Sequence, residues 1–253
     1  MTFNASPIVR TLADSIRLSL PPIAICFTDK VPSGIKNWTG QALASCRFWQ
    51  EAATEVFATS PSDHDLCAIG TFTHNLETTE EHDTGGRDGL RVFADLSYVR
   101  EQDIASIPVL EVRSTHVVYG PLATIPLTPD VVLLFVKADQ MLLLSEAFQQ
   151  VEGSLPQATG RPACTIVPQA INTARAALSL GCGGSPSYVD VLTDEVAIWA
   201  IPGSKLDLYV ESIATLSKAN AILATFHQMA RKDVEDGKNP TIKESSAAIA
   251  RWK

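Results

Sequence analysis

Blocks of hydrophobic and polar positions along the chain predict a mixture of buried strands and amphipathic helices. Short apolar runs bounded by proline, glycine and aspartate predict strands at 23–28, 116–119, 131–136 and 196–201. Apolar positions spaced three and four apart predict helices at 7–18, 42–56, 92–100, 140–151 (ending near Gly153), 163–178 and 204–230. The alternation favours a mixed α/β or α+β class, with a mixed sheet and flanking helices.

The domain organisation follows from length and patterning. A chain of 253 residues with 45% hydrophobic residues is long enough for one domain with a large core. We expect a single compact domain over 1–230 and a polar C-terminal tail over 231–253, of which 231–245 are mobile. The segment from 23 to Cys67 loosely resembles the segment from 131 to Cys182. Two related halves, 1–125 and 126–230, are therefore an open alternative.

A polar, glycine-containing stretch interrupts the pattern at 77–89, with the sequence ETTEEHDTGGRDG. This composition predicts an exposed loop, with a substrate lid as the alternative. His82 is then a surface histidine.

Charge and hydropathy argue against nucleic-acid and membrane partners. The net charge is −8, and no cluster of lysine and arginine provides the basic face that nucleic acid requires. The longest apolar run, 131–136, is far shorter than the roughly 20 residues that cross a bilayer, and the first 20 residues do not resemble a signal peptide. We expect a cytoplasmic protein with a small-molecule ligand and no membrane or nucleic-acid partner. A homodimer formed through the 204–230 helix is an alternative.

Cysteine carries the most informative chemistry. Three of the five cysteines, Cys46, Cys67 and Cys182, lie in short polar or glycine-containing segments (SCRFWQEA, DHDLC and SLGCGGS). Thiolates are soft ligands that select zinc, copper(I) and iron–sulfur clusters. Cys26 lies in an apolar segment and is expected in the core. For Cys164 we expect packing on a helix face, with a fourth-ligand role as the alternative.

The spacing of these cysteines separates the classes of metal site. The chain has no Cys-x-x-Cys pair, which disfavours zinc ribbons, thioredoxin-like sites and bacterial ferredoxins. Dispersed single cysteines predict a [4Fe–4S] cluster held by three thiolates, with one iron open to a small acidic or sulfur-containing molecule. The reaction would be Lewis-acid, sulfur-transfer or electron-transfer chemistry, so an iron–sulfur lyase or a sulfur-transfer or redox enzyme is expected. A zinc or other soft-metal protein without turnover, and an enzyme with a cysteine nucleophile, remain open alternatives.

Polar residues near these cysteines are candidates for catalysis. His64 precedes Cys67 by three residues and is a candidate acid–base or cluster-contacting residue. Arg161 follows Gly160 and is a candidate for binding a substrate carboxylate. His74 lies seven residues after Cys67 and lines the site if a helix continues that far. Signatures of P-loop, dinucleotide-binding, zincin and α/β-hydrolase proteins are absent.

Several segments together resemble an uncharacterised family. The strings PPIAICF, SCRFWQEA, SDHDLCAIGTFTHN, GRPACTIVPQA, SLGCGGS and DEVAIWAIPG occur in the order typical of the group called domain of unknown function 169, from about residue 10 to 225. The resemblance implies a cytoplasmic prokaryotic protein, with cysteine at positions 46, 67 and 182 and histidine at position 64. A basic residue usual after the glycine-rich segment is replaced here by Pro186, so an anion contact at that position is not expected.

Overall fold

The computed structural model describes residues 5–18, 20–76, 80–159, 162–190, 192–193, 195–238 and 241–251, with the backbone alone for 80–85, 159 and 242. In this part of the chain a single eight-stranded mixed sheet carries helices on both faces. The predicted fold class is confirmed.

The sheet contains four strands of six residues and four strands of two or three residues. Its strands are β1 (Ile23–Thr28), β2 (Lys36–Asn37), β3 (Phe57–Thr59), β4 (His116–Pro121), β5 (Val131–Val136), β6 (Ala158–Thr159), β7 (Ala177–Ser179) and β8 (Ala197–Pro202). Their order across the sheet is β2-β3-β4-β1-β5-β8-β7-β6. Neighbours pair antiparallel except at the two edges, where β2 pairs parallel with β3 and β6 with β7.

Nine α-helices occur among the described residues. They are α1 (Ser6–Ser15), α2 (Arg47–Glu51), α3 (Ala68–Thr73), α4 (Glu80–Asp95), α5 (Glu101–Ile104), α6 (Ala138–Glu152), α7 (Ile166–Thr173), α8 (Leu206–Glu235) and α9 (Ile242–Ala250). Gly153 ends α6 in the left-handed conformation at φ 67°, as its predicted role as helix terminator requires. Within the described residues, no helix is both long and apolar enough to cross a membrane.

The alternation of side chains along the strands divides the interior into two cores. On one face, Ala24 of β1 and Val132 of β5 pack with residues of α1, α6 and α8. On the other face, Ile23 and Leu133 pack with residues of α2 and α7. The second core also contains Cys46 and Cys164, with Cys67 and Cys182 packed against it, whereas Cys26 lies in the first core.

Two of the predicted helices are shorter than the sequence pattern indicates. The 42–56 prediction is wrong outside Arg47–Glu51, because the chain turns at Ala52 and then forms β3. The 163–178 prediction is wrong at its end, because α7 stops at Ala174 in a left-handed conformation and β7 follows. The helix predicted at 92–100 is also wrong in its second half, because α4 ends at Asp95 and a turn follows.

The loop predicted at 77–89 is also wrong, because residues 80–95 form α4 (77–79 lie outside the described residues). The glycines there serve helix packing rather than a turn. A Cβ placed on Gly86 would lie 2.3 Å from Cβ of Phe72 and 2.8 Å from the carbonyl oxygen of Ala68. Glycine is therefore what allows α4 to lie directly on α3.

The C-terminal segment differs from the predicted tail. Helix α8 continues to Glu235, and α9 begins at Ile242 after a Thr241 cap whose hydroxyl accepts a hydrogen bond from the Glu244 amide. Residues 231–235 and 242–250 of the predicted polar tail are therefore helical.

Candidate functional site

Four of the five cysteines line one cavity on the α2 and α7 face of the sheet. The cavity has a volume of about 140 Å³. Its lining consists of thiols, small residues and apolar side chains: Ala44, Cys46, Cys67, Ile69, Phe93, Pro162, Ala163, Cys164, Cys182, Gly184, Ser185 and Tyr188. Four larger depressions of about 230, 480, 490 and 550 Å³ occur among the described residues, and the described residues that line them include neither cysteine nor histidine. The cysteine cavity is thus the candidate site.

Cys46 and Cys67 each stand at the start of a helix. Cys46 immediately precedes α2, and Cys67 immediately precedes α3. The Thr71 hydroxyl donates to the main-chain carbonyls of His64 and Cys67, at 3.0 and 3.1 Å. This bond fixes the turn that presents the Cys67 side chain to the cavity.

Cys182 lies in the glycine-rich loop after β7. Gly181 adopts φ 95°, a conformation that glycine reaches without strain. The Ser185 hydroxyl lies 3.2 Å from both the amide and the carbonyl of Cys182, and its side chain is buried. The Ser185 hydroxyl therefore stabilises the loop by bonding to the main chain of Cys182.

Cys164 lies in a short 3₁₀ turn, Ala163–Thr165, that leads into α7. The Thr73 hydroxyl is 3.7 Å from its sulfur, a contact that joins α3 to this turn. Its side chain faces the cavity together with the other three thiols.

Burial and mutual repulsion disfavour thiolates in the metal-free cavity. Burial, followed by the proximity of Cys67 and Cys182, raises the pKa of Cys46 to about 12. Burial also raises the pKa of Cys164 well above its ordinary value, with contributions from Cys67, Cys46 and Cys182. Both deep thiols are therefore protonated at neutral pH unless a cation enters, and a bound metal would displace their protons.

His64 is fully buried behind the cavity rather than on its wall. Its Nδ1 lies 2.9 Å from the Ser45 hydroxyl and its Nε2 lies 2.9 Å from the Thr59 hydroxyl. Burial, followed by the proximity of His74, lowers the pKa of His64 well below its ordinary value. A neutral ring with both nitrogens engaged links β3 to the residue before Cys46. This geometry supports a positioning role instead of the predicted proton transfer to a substrate.

His74 is buried beside His64 and does not contribute to the cavity lining. Neither of its ring nitrogens has a hydrogen-bond partner among the described residues. Burial lowers its pKa to about 4, against an opposing contribution from the main chain of Cys164. The two histidines thus form a neutral, desolvated layer between the sheet and the cysteines.

Tyr119 places an unpartnered hydroxyl next to the thiols. Its ring stacks on Phe48 and Phe57 with centroids 5.5 and 5.6 Å apart. The hydroxyl is buried and has no hydrogen-bond partner in the part of the chain that the structure describes. Burial raises its pKa, and Cys67, Cys164 and Cys46 add to the shift. The thiols therefore influence this hydroxyl electrostatically, although Tyr119 is not among the residues that line the cavity.

The remaining sequence candidates are Arg161 and a site for a single metal ion. Arg161 lies outside the described residues. Among the described residues, no group of three or more histidine, cysteine, aspartate and glutamate side chains is gathered closely enough to hold one metal ion. The thiols therefore surround a space and do not converge on a point.

Sequence reasoning missed Tyr119, Ser45 and Phe93 as parts of this site. Nothing in the local sequence distinguishes Tyr119 from any residue of a buried strand, and Phe93 belongs to the segment predicted as a separate helix at 92–100. A signal for Cys164 was present, because SCRFWQEA at 45–52 and ACTIVPQA at 163–170 share the cysteine and the alanine six residues later.

Gly70 provides a structural test of the site. A Cβ on Gly70 would lie 2.2 Å from Oγ of Ser45 and 2.9 Å from Sγ of Cys67. Gly70→Ala is therefore expected to displace both the Cys67 sulfur and the hydroxyl that holds His64, and to lower sharply the retention of any metal supplied to the cavity. Gly183→Ala, beside Cys182, is the matched control, because a Cβ there meets nothing within 4 Å. Metal content measured after gel filtration checks both variants, and equal retention would contradict this account of the cavity.

Comparisons with known proteins place the chain in a family but not in a functional class. No curated protein and no solved structure matches it. The family profile of domain of unknown function 169 (DUF169), described as uncharacterised ArCR, matches residues 11–212. This match covers the whole sheet, all four cavity cysteines and the first residues of α8. The chain belongs to the DUF169 family.

Proposed function

We propose that this protein binds a [4Fe–4S] cluster in the cysteine cavity through Cys46, Cys67 and Cys182. The observation that supports the proposal is the presence of these three thiols, distant in sequence, on the wall of one cavity. Two of them, Cys46 and Cys67, immediately precede short helices, which fix the backbone that carries their side chains.

The size of the cavity supports a compact inorganic group. At about 140 Å³ it exceeds the roughly 10–15 Å³ that one water requires, yet it is smaller than the roughly 300–1,000 Å³ of pockets that bury organic ligands. Among the described residues, the lining includes four sulfurs and no carboxylate. A soft donor set of this kind suits iron–sulfur clusters, zinc and copper(I), and it suits magnesium and calcium poorly.

The arrangement of the thiols favours the cluster over the two alternatives. A single zinc ion needs ligands that meet within about 2.3 Å of one point, and the described residues offer no such group. A cysteine nucleophile needs an adjacent base, but the His64 nitrogens face Ser45 and Thr59. A cluster spreads its ligands over four metal atoms, so it spans the space between separated thiols.

The outer side of the cavity determines which chemistry is available. Cys67 and Cys182 are half-buried at the rim, whereas Cys46 and Cys164 lie deeper. Three thiolates leave one iron to a further ligand, and a bound cluster supplies Lewis-acid or electron-transfer chemistry according to what that ligand is. We propose that a small acidic or sulfur-containing molecule, or an electron-transfer partner, binds at this rim.

Metal and sulfide analysis tests the proposal. Protein purified without oxygen, or reconstituted anaerobically, is expected to contain about four iron and four sulfide per chain, and to show a broad brown absorption that bleaches on reduction. The same samples are assayed for zinc. Zinc without acid-labile sulfide would favour the single-metal alternative, and protein free of iron and sulfide after reconstitution would overturn the proposal.

A further inference from the structure

The sheet consists of two units with the same arrangement. Strands of six, two, three and six residues occur in that order in β1 to β4 and again in β5 to β8. In each unit the first strand pairs with the fourth, the fourth with the third, and the third with the second. The strand order read outward from the centre is therefore identical on the two sides.

The pairing register is repeated as well. Phe57 pairs with Tyr119 in the first unit, and Ala177 pairs with Ala200 in the second. Each of these pairs joins the first residue of the third strand to the residue two before the final proline of the fourth. The units differ by one residue only in the register of their edge strands.

A local two-fold axis relates the units at the centre of the sheet. Strands β1 and β5 pair antiparallel, with Ile23 opposite Leu133 and Ile25 opposite Val131. A two-fold rotation that places Ile23 on Val131 also places Leu133 on Ile25, so it converts the first pair into the second. The pair between them, Ala24 and Val132, therefore lies at the axis.

The axis also relates the cavity cysteines in pairs. Cys46 lies directly before the helix that connects the second and third strands, and Cys164 lies in the turn that begins the equivalent helix of the second unit. Cys67 and Cys182 each follow the third strand of their unit. Each unit therefore contributes one deep and one rim thiol to the shared cavity.

We propose that Cys164 is the fourth ligand of the cluster, an inference that rests on the proposed function. A cubane cluster has two-fold axes that exchange its irons in pairs, so two equivalent units with two thiols each match all four irons. The Cys164 thiol loses its proton to solvent as its sulfur bonds to iron, with no change in oxidation state. The remaining chemistry is then electron transfer rather than Lewis-acid catalysis at an open iron.

Spectroscopy of the unmodified protein tests this assignment directly. In Mössbauer spectra of the ⁵⁷Fe-loaded chain, all of the roughly four irons are expected to show tetrahedral sulfur coordination. A distinct subsite comprising about one iron in four, with the parameters of oxygen or nitrogen ligation, would overturn the Cys164 assignment and leave the proposed function intact. Absence of any cluster would overturn both.

A pair of variants tests it independently. Cys164→Ala is expected to retain a cluster on three thiolates but to lose about one iron per cluster on mild ferricyanide oxidation, with the paramagnetic signal of a three-iron species. Cys26→Ala, which removes a thiol as buried as Cys164 from the opposite core, is expected to behave like the unmodified protein. Equal iron loss from the unmodified protein and Cys164→Ala would overturn the assignment.

Discussion

The double variant Cys67→Ala/Cys182→Ala is expected to reduce bound iron and sulfide to background after anaerobic reconstitution. It removes one thiol from each unit of the sheet and leaves only the deep pair, Cys46 and Cys164. Two thiols cannot hold a four-iron cluster against release into solution. Because both replaced side chains lie at the rim, the metal-free variant is expected to differ in free energy of unfolding by about 1 kcal/mol or less.

The measurements are iron and sulfide per chain, with urea unfolding of the metal-free proteins to verify folding. Cys26→Ala is the control for loss of a thiol remote from the cavity, and it is expected to keep its iron. Full iron and sulfide in the double variant would show that any cluster lies elsewhere in the chain.

Mild acid is expected to destabilise the metal-free protein strongly through its two buried histidines. The pKa of His74 is about 4 in the folded chain, against about 6.5 in the unfolded chain. The unfolded state therefore binds more protons as pH falls below about 6.5, and the stability present above that pH is lost progressively down to about pH 4. For His74 alone the loss amounts to about 3 kcal/mol. His64, whose pKa is also lowered by burial and by His74, adds to it.

Urea unfolding at several pH values between 7.5 and 4.5 measures this loss. His74→Leu replaces an unpartnered polar ring with an apolar side chain, so it is expected to flatten the dependence without a large cost at pH 7.5. His227→Gln, on the exposed side of α8, is the control and should retain the full slope. A stability that stays constant over this range would show that the histidines are solvated or protonated in the folded chain.

The sequence predicted the centre of the fold better than its edges. Uninterrupted apolar runs at 23–28 and 131–136 correspond to the two central strands because both of their faces are covered by helices. The edge strands at Lys36–Asn37 and Ala158–Thr159 contain two residues each. A segment of two residues has no measurable periodicity, so it can be found only from its pairing partners.

The sequence indicated which kinds of side chain form the site, but it did not indicate how those side chains are arranged. Isolated cysteines in glycine-containing or helix-starting segments indicated exposed backbone suited to a soft ligand, and the structure places Cys46, Cys67 and Cys182 on one cavity. The role of His64 depends on tertiary contacts with Ser45 and Thr59, which are 19 and 5 residues away. Likewise, the helix at 80–95 packs closely on Phe72 through Gly86. Composition alone cannot reveal this tertiary contact, so the glycine-containing segment was predicted as a loop.

The matched strand lengths on either side of the sheet bear on how such a pocket could arise. Two separate copies of a four-stranded unit, associating edge to edge, would already assemble a symmetric set of thiols without any linking peptide. Fusion of such copies into one polypeptide would free them to diverge, and in this chain Tyr119 of the first unit stands where the second unit has Ala200. Such divergence makes the two lateral sides of an otherwise symmetric centre different from each other, the condition for electrons or molecules to arrive from one of those sides only.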